Sequence, residues 1–116
     1  MKRGEIWWAD LGKFRPMQQT GRRPVVIWQS DALTSVLQSV LVVPLTSNKD
    51  RARLAGTATV DPSTDGLPET SVALAFQMRA VPKSCLRERI RGLTADELSE
   101  LELATDEALG RIEPRG

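Results

Sequence analysis

The chain has 116 residues, 41% hydrophobic and 27% charged, a size and balance that suit a single domain, 1–116, with one core. It has no histidine and one cysteine, which excludes imidazole acid–base chemistry, Cys/His zinc sites and an internal disulfide. No apolar run approaches the roughly 18 residues of a membrane span, and no long apolar stretch follows the basic Met1–Arg3, so a reduced, cytoplasmic protein with no membrane partner is expected.

In chain order, "GEIWWADLG" reads as a strand bounded by Gly4 and Gly12, rich in residues that fit a pleated surface. Trp7 and Trp8 are neighbours in it and must face opposite ways, one to the core and one outward. The polar, basic, Gly/Pro-marked stretch Lys13–Arg23 is a loop, long for a hairpin connection and so inclined toward function. "PVVIWQS" is the second strand, with Pro24 at its first position, and Asp31 can cap a short helical turn after it. "SVLVVPLTS" is apolar on both faces and reads as central, "NKDRARLAG" is a second basic loop, and "TATVDP" alternates as a fourth strand.

After turn chemistry at Ser63–Thr70, "SVALAFQMRAV" reads as one further strand and "CLRERIRGL" as a last short one. The period then changes. Thr94 and Glu97 form a capping box, Leu98, Leu101, Ala104 and Ala108 follow at helical spacing, and Gly110 closes the helix. Five or six short strands and one C-terminal helix predict a mainly β, α+β fold built on a small antiparallel barrel.

Charge is uneven along this order: residues 1–53 carry +5 and residues 54–116 carry −4. That division suits a polyanion on the basic half, or else two mixed surfaces. Two strand ends concentrate polar chemistry. Arg22 and Arg23 stand directly before Pro24 at the mouth of the second strand, and Thr46 and Ser47 end the third. A guanidinium forks onto two oxygens of a phosphate and keeps its charge, so an arginine at a strand mouth suits an anion; an ion-paired structural arginine is the alternative. Trp7, Trp8 and Trp28 offer stacking surfaces for bases or packing surfaces for the core. Cys85 reads as an inert small hydrophobe.

Together, "RGEIWWADL", "GRRPVVIWQSD", "VVPLTSN", "SVALAFQMRAV" and the final helix resemble the MazF/PemK family of toxins, in order and over nearly the whole chain. The resemblance implies an SH3-like barrel, a homodimer and cleavage of single-stranded RNA without a metal or other cofactor. It also implies neutralisation by a MazE-type antitoxin. The family's functional arginine falls on Arg23, its strand-end threonine on Thr46 with Ser47 beside it, and its later glutamine on Gln77. Where members often carry Ser-Glu-Gln, this chain has Met17-Gln18-Gln19, and Phe76 replaces an acidic residue before Gln77, so no general base is assigned.

On this reading Arg23 and Thr46 are catalytic, and Gln77, Ser47, Arg22, Gln19, Lys13 and Arg51 bind substrate. RNA supplies its own nucleophile, the 2′-OH, so alignment and charge stabilisation carry the reaction. Two other functions are weighed: a CcdB-like toxin that binds DNA gyrase, and a barrel that binds RNA without cutting it.

Overall fold

A computed structural model describes residues 1–11, 21–62 and 66–114. Strand β1 (Glu5–Asp10) pairs antiparallel with β2 (Arg22–Ile27) on one edge and with β7 (Leu86–Gly92) on the other. β2 begins at Arg22, not at Pro24 as expected, because Arg22 and Arg23 pair with Asp10 and Ala9. Pro24 therefore lies inside the strand. Its missing N–H is tolerated because β2 pairs with β3 only from Val25 onward, so one flank of β2 is open at Pro24.

Strand β3 (Ser39–Thr46) is central, as its two apolar faces predict. β2 takes one edge. The other edge is shared: β5 (Ser71–Leu74) pairs with Leu45 and Thr46, and β6 (Arg79–Pro82) pairs with Ser39 to Val42. The single strand expected over 71–81 is broken by a 3₁₀ turn, Ala75–Gln77. Those three residues shift the register between the halves, which lets both bond to one bent partner. β4 (Thr57–Val60) pairs with β5, giving seven strands in the order β4-β5-β3-β2-β1-β7 with β6 on β3.

Two apolar clusters form where one core was expected, because the strands alternate. Ile6, Val26, Trp28, Val43 and Leu45 face one side and pack with Ala58, Val60, Leu101 and Ala104. Ala9, Val25, Ile27, Val40 and Val42 face the other and pack with Val81 and Leu86. The second cluster is wrapped by β7-β1-β2-β3-β6, a curled five-strand arrangement whose ends join through the 3₁₀ turn Lys83–Cys85. Backbone pairing does not close this curl among the described residues, so the barrel is open.

Helix α2 (Ala95–Ala108) covers the first cluster. Its capping box is present: Glu97 N–H donates to Thr94 Oγ1 at 3.2 Å, and Thr94 N–H donates to Glu97 Oε1 at 2.9 Å. Gly110 follows its end at φ +75°, where its N–H and that of Arg111 donate to the Glu107 and Asp106 carbonyls, the hydrogen-bond pattern of a Schellman stop. The short helix α1 (Asp31–Thr34) is capped by Ser30, whose Oγ accepts from Leu33 N–H at 3.3 Å. The expected cap, Asp31, instead accepts from Arg3 N–H at 2.8 Å and ties the N-terminal segment to α1. No helix among the described residues is long and apolar enough to cross a membrane.

Candidate nucleic-acid interface

The site is built from the mouth of β2, the end of β3 and the start of β5. The β2–β3 register pairs Val25 with Pro44. Continued two residues, it sets Arg23 level with Thr46; one residue further it sets Arg22 level with Ser47. β5 extends the rows, since Thr46 pairs with Val72. Side chains alternate along a strand, so Arg23 and Thr46 rise from one face of the sheet and Arg22 and Ser47 from the other. Arg22, Arg23 and Ser47 line one cleft at the strand mouth, and Thr46 is not part of its lining.

An open cleft of about 190 Å³ lies there. Trp8, Pro24 and Leu45 line its apolar part, and Arg22, Arg23 and Ser47 its polar part. Pro68, Glu69 and Ser71, from the lead-in to β5, complete the wall. Ser71 Oγ donates to the Glu69 carbonyl at 3.3 Å, which fixes this lead-in against the strand.

Arg22 is held in place. Its Nη2 donates to Glu88 Oε1 at 2.6 Å, and its guanidinium lies 5.3 Å from the Trp8 ring centroid. This pair sits on the surface, so it orients Arg22 more than it stabilises the fold. Thr46 is half-buried at the strand end, and its Oγ1 accepts from Asn48 N–H at 3.2 Å. With that bond accepted, the hydroxyl proton remains available to donate to a phosphoryl oxygen.

Other predicted residues lie elsewhere. Gln77 sits in the 3₁₀ turn on the far edge of β3, half-buried and outside the cleft wall. Arg51 is exposed on a 3₁₀ turn, Lys49–Arg53, where a plain loop was expected, and this turn follows β3 two residues beyond Ser47. Lys13 and Gln19 lie outside the described residues, as do Met17 and Gln18. Arg79 on β6 is half-buried, with a buried Nη2 that has no hydrogen-bond partner.

The tryptophans divide differently than expected. Trp7 and Trp8 do face opposite ways, but both are half-buried, Trp8 against the first cluster and Trp7 against the second. Trp28 offers no stacking surface: it is 7% exposed, its Nε1 donates to Thr105 Oγ1 at 2.9 Å, and Arg3 covers its ring at 4.0 Å. Burial pushes the Cys85 thiol pKa up, with the Arg87 charge opposing, which suits an unreactive thiol.

Glu69 was not anticipated. The signal was available, because "PETS" stands at the mouth of β5 as "GRRP" stands at the mouth of β2. The same strand-end logic would have singled it out.

The fold is that of known ribonuclease toxins. An endoribonuclease from a mycobacterial species, solved with its cognate antitoxin, superposes with TM-score 0.78 over 98% of this chain and 99% of that one, at 23% identity. Mycobacterium tuberculosis toxin MazF-mt6 superposes with TM-score 0.74 at 26% identity, over 91% of this chain and 96% of that one. In sequence, the endoribonuclease MazF of Staphylococcus saprophyticus is 32% identical over 110 residues, 95% of this chain and 92% of the relative. Residues 2–109 match the family of PemK-like, MazF-like toxins of type II toxin–antitoxin systems, and the chain belongs to that family.

Proposed function

We propose that this chain is the toxin of a type II toxin–antitoxin pair and acts as an endoribonuclease on single-stranded RNA. The observation that carries the reading is the open cleft at the mouth of β2, where Arg22, Arg23 and Ser47 gather, with Thr46 next to Ser47 in the chain. RNA passes with its scissile phosphate at Arg23. The 2′-oxygen attacks the neighbouring phosphorus, the bond from phosphorus to the 5′-oxygen breaks, and the products are a 2′,3′-cyclic phosphate and a 5′-OH end. The proton of the 2′-OH leaves to solvent or to a carboxylate, and the 5′-oxygen gains one.

Arg23 neutralises the charge that develops on the phosphoryl oxygens, and Thr46 donates to one of them. Ser47 and Arg22 hold the flanking chain, with Lys13, Gln19 and Arg51 as further backbone contacts and Gln77 orienting the sugar or an adjacent base. The step needs no metal, because the nucleophile is intramolecular and a fixed guanidinium supplies the positive charge. The working unit is a homodimer in the cytoplasm, and a MazE-type antitoxin blocks the same surface. Family membership and the arginine-lined cleft favour cleavage over gyrase binding.

Incubating the purified protein with a defined single-stranded RNA in EDTA tests the reading. Cleavage to 5′-OH and 2′,3′-cyclic phosphate ends is expected. RNA bound but left intact would overturn it, as would cleavage abolished by EDTA and restored by magnesium.

A further inference from the structure

The cleft beside Arg23 is more than a phosphate site. Four of its lining residues, Trp8, Pro24, Leu45 and Pro68, are apolar, and they flank a space on the scale of one flat ring system. Trp8 is half-buried, and its indole N–H has no hydrogen-bond partner among the described residues. The Glu88 carboxylate holds Arg22 over Trp8, so the guanidinium plane is a fixed shelf next to the ring.

Against this background Glu69 stands out. Arg22, Arg23 and the Trp8 indole only donate hydrogen bonds, whereas Glu69 is the one acidic residue among the described residues that line the cleft. Glu69 is exposed, and its carboxylate has no hydrogen-bond or ion-pair partner among the described residues. A carboxylate repels the phosphates that the neighbouring arginines attract. Its fit in such a cleft is to a group that donates, and in RNA those groups are the N–H edges of unpaired bases.

Resting on the endoribonuclease reading, we propose that the cleft holds one unpaired base next to the scissile phosphate and that Glu69 selects it as guanine. Guanine presents N1–H and the N2 amine side by side, matching the two oxygens of one carboxylate. Cytosine and adenine offer one amine beside a ring acceptor, and uracil offers a single N–H between two carbonyls that a carboxylate repels. Trp8, Pro24 and Pro68 provide apolar walls for any base, and Glu69 distinguishes among them.

The test is to sequence the 5′-OH ends that wild type and Glu69→Gln produce from a long mixed RNA, with a thermal melt of each protein. Wild type is expected to show guanine enriched at one fixed offset from the cut. In Glu69→Gln that preference should fall tenfold or more, the scale of one lost bidentate pair. The remaining positions of the motif should stay as they were, and the melt should not move. Inosine at that offset, which removes only the N2 amine, should slow wild type several-fold and Glu69→Gln little. Cleavage by wild type with no guanine at any fixed offset would overturn the proposal. So would an unchanged preference in Glu69→Gln, or an equal slowing of every sequence, which would make Glu69 a proton acceptor or a structural group. No cleavage at all by wild type would overturn the endoribonuclease reading and this proposal with it, a result distinct from cleavage without guanine.

Discussion

At the scale of single residues, Arg23 is the sharpest test of the site. On the proposed reading, the Arg23 clamp on the pentavalent phosphoryl group strengthens in the transition state, whereas contacts of Arg22 and Arg51 are to ground-state phosphates. Arg23→Ala should therefore lower the single-turnover cleavage rate about a hundredfold to a thousandfold, by comparison with lost oxyanion donors. Affinity for a 2′-deoxy substrate should fall far less. Arg23→Lys should restore the rate only in part, because an ammonium does not fork onto two oxygens. Equal losses of rate and binding would move the clamp to Arg22 or to Arg79 with its unpartnered Nη2. Trp28 gives the opposite expectation. Its indole N–H bonds Thr105 and its ring lies under Arg3, so it joins β2 to α2. Trp28→Phe should destabilise by about 1 kcal/mol or somewhat more, from the lost hydrogen bond and the smaller ring, read as a lower melting temperature. RNA affinity should not change; a fall in affinity with the melt intact would show that a base reaches Trp28.

At the scale of elements, one carboxylate joins three of them. Glu97, 6% exposed, caps α2 through Thr94, accepts from Asp61 N–H at 2.9 Å just after β4, and takes two bonds from Arg91 of β7 at 2.8 and 3.0 Å. Burial alone would raise its pKa, but the bonds from Arg91, Thr94 and Asp61 outweigh it and bring the pKa to about 2. A carboxylate whose folded pKa lies below its ordinary value stabilises the fold at neutral pH. That contribution is lost as pH falls from the ordinary value of 4.5 toward 2. Its size is on the order of 3 kcal/mol. Thermal melts across this window should show a steep loss of stability in wild type. Glu97→Gln should melt lower at pH 7 and show a shallower loss on acidification; equal slopes would mean that other carboxylates govern the acid limb. Glu5 works similarly at the barrel edge. Burial raises its pKa, but bonds from Lys2 N–H, the Trp7 indole and Arg89 hold it below the ordinary carboxylate value.

At the scale of the whole molecule, net charge is only +1, and ion pairs between the two halves of the chain leave the charge division in place, since two of the three tie first-half acids to second-half arginines. Arg22 meets Glu88, Arg87 meets Asp10, and Arg89 meets Glu5, each a basic or acidic residue of the first half against its opposite on β7. On the proposed reading the basic first half of the chain supplies the positive field for RNA, and pairing two copies about a twofold axis doubles it. RNA affinity should fall linearly in log–log terms with salt, with a slope set by the phosphates neutralised. Sedimentation at micromolar concentration should show a dimer. A fully active monomer, or an affinity indifferent to salt, would overturn the shared channel.

The sequence by itself determined the local structure and the chemistry on offer. Period-2 alternation in "EIWWAD" and "PVVI" set which side chains share a face, and the Thr94–Glu97 pair set where α2 starts. The same reading drew attention to Arg23 and Thr46 at strand ends, because a charge beside an apolar strand is conspicuous in one dimension. Tertiary structure alone decided the rest. Folding put Arg22 and Arg23 in one cleft with Ser47, and the 3₁₀ turn Ala75–Gln77 split an uninterrupted apolar run into two strands. Folding also brought Glu88 to Arg22 across 66 residues, Thr105 to Trp28 across 77, and Glu69 into the arginine-lined cleft. The physical reason is one of range. Periodicity and capping follow from backbone geometry over a few residues, so they are written in neighbouring positions. Register and strand bending follow from burying both faces of one sheet at once, a condition that no local stretch of the chain contains.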